Sequence, residues 1–85
     1  MFTVVSRAID CIYDITTGIS NGGTIDANIM NFANETDWLV FSKGVTNSLP
    51  NPYIITHNNN EVIFNFRNYY FRITYQGNKI YINYL

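Results

Sequence analysis

A single histidine and a single cysteine bound the reactions this chain could run. His57 flanks the run Asn58-Asn59-Asn60. As a catalytic base it would need a nucleophile within hydrogen-bond reach and a third group to orient its ring. The sequence names neither, so His57 is expected to be a turn-flanking residue. Cys11 falls on an apolar stripe with Val4, Ala8 and Ile15. Burial there disfavours the thiolate, the reactive form, so core packing is expected. Asp10 and Asp14 lie one helical turn apart and could share a cation, but a hard cation wants more oxygens than two carboxylates offer. They read as a solvated face. Glu35 and Asp37 fall between elements, where they could cap or meet a basic partner. No second His or Cys stands at zinc-ligand spacing. Asn21-Gly22-Gly23 reads as a turn, without the further glycines or lysine of a phosphate-binding loop. The expectation is therefore no catalytic residue, no metal, no cofactor and no enzymatic activity.

Eighty-five residues suffice for one domain. Hydrophobic residues make up 47% and aromatics 16%, enough for a core, while charged residues reach only 13%. A typical domain carries about 25% charged residues. With a net charge of −1, little long-range repulsion keeps copies apart, and tyrosine-rich or apolar surface is expected to serve an interface. One cysteine cannot form an internal disulfide, so the fold does not rely on an oxidising compartment. The sequence shows no basic-then-apolar leader and no long apolar run, so a cytoplasmic location without membrane contact is expected. Asn34-Glu35-Thr36 matches the N-glycosylation pattern, which has no use without a secretory route.

The elements that would position any surface are clearest from Glu61 to Leu85, EVIFNFRNYYFRITYQGNKIYINYL. A two-residue turn at Gly77-Asn78 sets Tyr75 opposite Ile80, Ile73 opposite Ile82 and Phe71 opposite Tyr84. A second at Arg67-Asn68 sets Phe64 opposite Phe71 and Val62 opposite Ile73. Three strands then agree on one apolar face, and a slip of one residue would turn that whole face to water. Tyr53 to His57 pairs back through the asparagine run, which brings Tyr53 and Ile55 onto the same apolar side. The reverse side carries Ile54, Ile63, Tyr70, Arg72, Tyr81, Asn83 and Leu85.

Upstream, apolar residues at helical spacing predict a helix over 3–17, capped by Gly18 with Ile19 available for a hydrophobic contact. A second helix is expected over 24–34, with Thr24 as N-cap, Asp26 in its first turn, and Ile25, Ile29, Phe32 and Ala33 on one face. Residues 37–42 read as a strand apolar on both sides, and 43–52 as a loop because of Gly44, Pro50 and Pro52. Strands are expected over 53–57, 61–66, 69–76 and 79–85. The fold class is α+β: two N-terminal helices on one face of an antiparallel meander of four to five strands.

Tyrosine and arginine are the side chains that interface hot spots favour. The reverse face thus points to a non-enzymatic module that binds a larger protein through Ile54, Ile63, Tyr70, Arg72, Tyr81, Asn83 and Leu85. The abundance of Asn, Ile, Tyr and Phe, residues with AT-rich codons, suits a low-GC bacterium or its phage. In size and type the chain is similar to small phage-encoded inhibitors of host proteins, anti-CRISPR proteins among them. A rival expectation is a homodimer that pairs through KIYINYL, should that strand lie at the sheet edge. Single-stranded nucleic acid is the third, disfavoured because phosphate contacts need more cations than five Lys and Arg.

Overall fold

The computed structural model describes residues 4–27 and 35–85. Its elements run α1 (Val4–Thr16), β1 (Gly22–Asp26), α2 (Glu35–Ser48), β2 (Tyr53–His57), β3 (Glu61–Phe66), β4 (Tyr69–Gln76) and β5 (Lys79–Tyr84). The five strands form one antiparallel sheet in the order β1-β5-β4-β3-β2. The architecture is α+β, with both helices on the same face of the sheet.

Turn chemistry fixes the register of the C-terminal ribbon. Arg67 and Asn68 both take positive φ, 55° and 70°, the signature of the tight turn whose twist matches a hairpin. Phe64 therefore faces Phe71 and Val62 faces Ile73. Around Gly77-Asn78, Tyr75 faces Ile80, Ile73 faces Ile82 and Phe71 faces Tyr84. Val62, Phe64, Phe71, Ile73, Ile80 and Ile82 are all fully buried. Each large apolar side chain withdrawn from water contributes roughly 1.5–3 kcal/mol, so this one face supplies much of the driving force.

Helix α1 covers that face with Val4, Ala8, Ile12 and Ile15. Its end closes as expected. The Ile19 N–H donates to the Asp14 carbonyl at 3.0 Å and the Gly18 N–H to the Ile15 carbonyl at 3.1 Å, with Gly18 at φ 84°. That pair of bonds is the Schellman arrangement. Ile19 itself is exposed, so the hydrophobic contact expected of it is not made.

Three expectations for the middle of the chain are corrected. Thr24 and Asp26 do not open a helix; they lie in β1, paired with Tyr81 and Lys79 of β5. The rest of the predicted second helix, residues 28–34, lies outside the described residues. Pairing with β5 wins because that strand otherwise presents a row of unpaired main-chain groups. Nor are residues 37–42 a strand. Trp38, Phe41, Ser42, Val45 and Leu49 recur at helical spacing and all are buried, while Leu39 and Val40 turn outward. The predicted loop is correspondingly helical as far as Ser48. Gly44 signals a close helix contact there, since a Cβ would stand 3.2 Å from Val5 Cγ2 of α1.

The third correction concerns β2. Thr56 pairs with Ile63 and His57 with Val62, but Ile54 pairs with Phe64 and Tyr53 with Asn65. A bulge at Ile55 inserts one residue and reverses the alternation beyond it. Tyr53 accordingly joins the outer face, and Ile55, expected under the helices, is 48% exposed.

Candidate interaction surface

The outer face is built by strand parity. If Val62, Phe64, Phe71, Ile73, Ile80 and Ile82 point to the helices, their neighbours in sequence must point away. Cross-strand pairing then sorts these neighbours into rows. One row runs Tyr53, Asn65, Tyr70, continued by Leu85, whose N–H donates to the Tyr70 carbonyl at 2.7 Å. The next runs Thr56, Ile63, Arg72, Asn83. A third runs Glu61, Thr74, Tyr81, Thr24. Tyr70 is 51% and Tyr53 71% exposed, whereas Ile63 and Tyr81 are half-buried between their neighbours.

The structure thus brings Ile63, Tyr70, Arg72, Tyr81, Asn83 and Leu85 together on one face. Ile54 does not belong with them: the bulge sets it opposite Phe64 on the helix side. Tyr53 takes the outer position instead. No glycine or proline marks the bulge in YIITH, so nothing in the sequence signalled the exchange.

Charges on this face are mostly neutralised locally. Arg72 Nε lies 3.1 Å from Glu61 Oε2 and Lys79 Nζ 3.8 Å from Asp26 Oδ1. Exposed pairs of this kind contribute little stability, but they occupy the cations. Arg67 sits 4.8 Å from the Tyr13 ring centre and 5.2 Å from that of Phe66 on the helix side. What the face offers is aromatic area, hydroxyls, amides and one guanidinium already held by a carboxylate.

His57 has a partner that sequence reading did not supply. Its Nε2 lies 2.7 Å from Ser42 Oγ, and Ser42 Oγ also donates to the Leu39 carbonyl at 3.2 Å. A serine and a histidine at this distance resemble a nucleophile and its base. Yet Ser42 is completely buried, so no substrate could reach its oxygen. The contact ties α2 to β2, and the bond from Trp38 Nε1 to the Asn58 carbonyl at 2.9 Å ties it to the turn that follows. Cys11 is half-buried, and burial followed by the nearby Asp14 charge holds its thiol above the ordinary value, the opposite of an activated nucleophile. Among the described residues no cluster of His, Cys, Asp and Glu could hold a metal ion, and no helix is long and apolar enough to cross a membrane.

No protein-family model matches the chain, and neither a curated protein nor a solved structure matches it.

The strand KIYINYL is not an edge. β5 lies between β4 and β1, and from Lys79 to Asn83 it is paired on both sides. The edge strands are β1 and β2.

Proposed function

We propose that this protein is a non-enzymatic binding module that docks its outer sheet face on a larger protein. The reading rests on one observation: an antiparallel sheet whose helices lie on one side carries, on the other, Tyr53, Ile63, Tyr70, Tyr81 and Leu85 in adjoining rows. Tyrosine gives wide contact area at low entropic cost plus a hydroxyl for hydrogen bonding, which is why it dominates hot spots. A small, weakly charged domain of this kind acts by occlusion, as an inhibitor of a host protein would. Single-stranded nucleic acid fits the face less well. Stacking platforms work beside free cations, and here Arg72 and Lys79 are paired with carboxylates.

The test is affinity capture from a bacterial lysate with the wild-type chain and with Tyr70→Ala/Tyr81→Ala. A partner retained at stoichiometric amount by the wild type and lost by the double variant is expected. Equal retention by both, or oligonucleotide binding that weakens with salt in place of protein capture, contradicts the proposal.

A further inference from the structure

We infer that the first half of β2 exchanges between two registers, and that the exchange carries Tyr53 on and off the outer face. The exchange is read from the sheet itself; only its bearing on partner binding rests on the function proposed above.

The second half of β2 is held in place. His57 Nε2 lies 2.7 Å from Ser42 Oγ, and the Asn58 carbonyl just beyond accepts from Trp38 Nε1 at 2.9 Å. The Asn58 N–H donates to the Glu61 carbonyl at 2.9 Å. Thr56 and His57 thus keep Ile63 and Val62 as partners. The ladder becomes irregular directly upstream, between Ile54 and Thr56.

Above that point the place opposite Phe64 has two claimants of identical chemistry. The bulged register gives it to Ile54 and sets Tyr53 opposite Asn65. A regular register, continued from Thr56 by alternation, gives it to Ile55, sets Ile54 opposite Asn65 and carries Tyr53 to Phe66. Two isoleucines suit that place alike, so the side chain filling it does not choose the register.

Burial does not choose it either. In the bulged register Ile54, Ile55 and Tyr53 are all exposed, at 40%, 48% and 71%. The regular register moves Ile55 and Tyr53 to the helix side, Tyr53 beside the buried Phe66, and leaves Ile54 outside without any residue left over in the ladder. Register is tightly specified where a slip exposes a buried set, and here it exchanges one isoleucine for another. The chain upstream must follow Tyr53 by one strand step, roughly 3.4 Å. Asn51, between buried Leu49 and Tyr53, takes a φ of 53°, and its return to extended backbone supplies that length.

The two registers present different outer faces. In one, Tyr53 heads the row of Asn65 and Tyr70; in the other, Ile54 stands there and a hydroxyl is lost. A partner that contacts Tyr53 binds the bulged register alone, so its apparent affinity scales with the fraction of chains holding that register. Binding in turn draws β2 into it.

NMR relaxation dispersion on the partner-free chain tests the exchange, with Ile54→Thr and Ile55→Thr as register variants and circular dichroism as the check on folding. The wild type is expected to show exchange at residues 53–55 and 64–66, with a minor form at roughly 1–10%, and none at Ile80 or Ile82. Ile55→Thr leaves Ile54 as the sole isoleucine for Phe64 and should abolish the exchange. Ile54→Thr should invert the populations, with cross-strand contacts from Ile55 to Phe64 and Tyr53 to Phe66 replacing those of the bulged register. A wild type without exchange at 53–55 overturns the inference even if a variant fails to fold. So does an Ile54→Thr chain that keeps the bulged contacts. Dispersion needs no partner, so its result stands or falls apart from the Tyr70→Ala/Tyr81→Ala capture. For the link to binding, Ile54→Thr should retain less of a captured partner than Ile55→Thr, and equal retention overturns that link.

Discussion

Single residues decide more here than their types suggest. Ile55 is an ordinary strand former, yet as a bulge it moves Ile54 to the helix side and Tyr53 to the outer face. Parity carried the reading of the outer face from Ile63 through Tyr70, Arg72, Tyr81 and Asn83. It failed at the one residue where the count changes, because an inserted residue without glycine or proline leaves no trace in composition. Cys11 shows the converse, a position legible from its neighbours. Helical spacing set it beside the core, and burial with the Asp14 charge raises its pKa from the ordinary 9.0. The folded chain therefore holds the thiol proton more tightly than the unfolded chain does. That contribution to stability is complete below the ordinary thiol range and is lost as pH climbs through the folded value. At pH 8 a thiol-specific reagent should label the native protein more slowly than the urea-unfolded one. Equal rates would show that Cys11 is neither shielded nor shifted.

Among the elements, legibility followed the kind of evidence each one left in the sequence. Strands β3, β4 and β5 carry their own alternation, and their turns carry their own residues, so local pattern and tertiary pairing agree. β1 is different. Gly22-Gly23-Thr24-Ile25-Asp26 has almost no alternating apolar signal and becomes a strand by completing the edge of β5. α2 misled for another reason. Trp38, Leu39, Val40 and Phe41 are apolar in an unbroken run, which suits a doubly covered strand as well as a helix start. Only Ser42, Val45 and Leu49 reveal the period. Gly22 tests the account of β1. Its φ is 146°, and a Cβ there would meet the Ile82 carbonyl oxygen and lie 2.6 Å from Asn83 Oδ1. Gly22→Ala should cost about 1–3 kcal/mol, the scale of a strained backbone position. The loss should concentrate in faster amide exchange along β1. Unchanged stability and exchange would mean that β1 does not sit against β5 as described.

As a whole molecule, the protein is a sheet with one side committed to its helices and the other left as aromatic surface. The buried side holds the fold together through contacts that the C-terminal alternation specifies. The same alternation, read from the opposite parity, generates the outer face. Few charges and a near-neutral total leave shape and aromatic area, rather than long-range steering, as the basis of the proposed recognition. Hydroxyl-radical footprinting of the chain with its captured partner tests this division most directly. The account predicts protection of Tyr53, Tyr70 and Tyr81 on binding, with Val40 on the outer surface of α2 unchanged. Protection of Val40 while the three tyrosines react as in the free protein would contradict it.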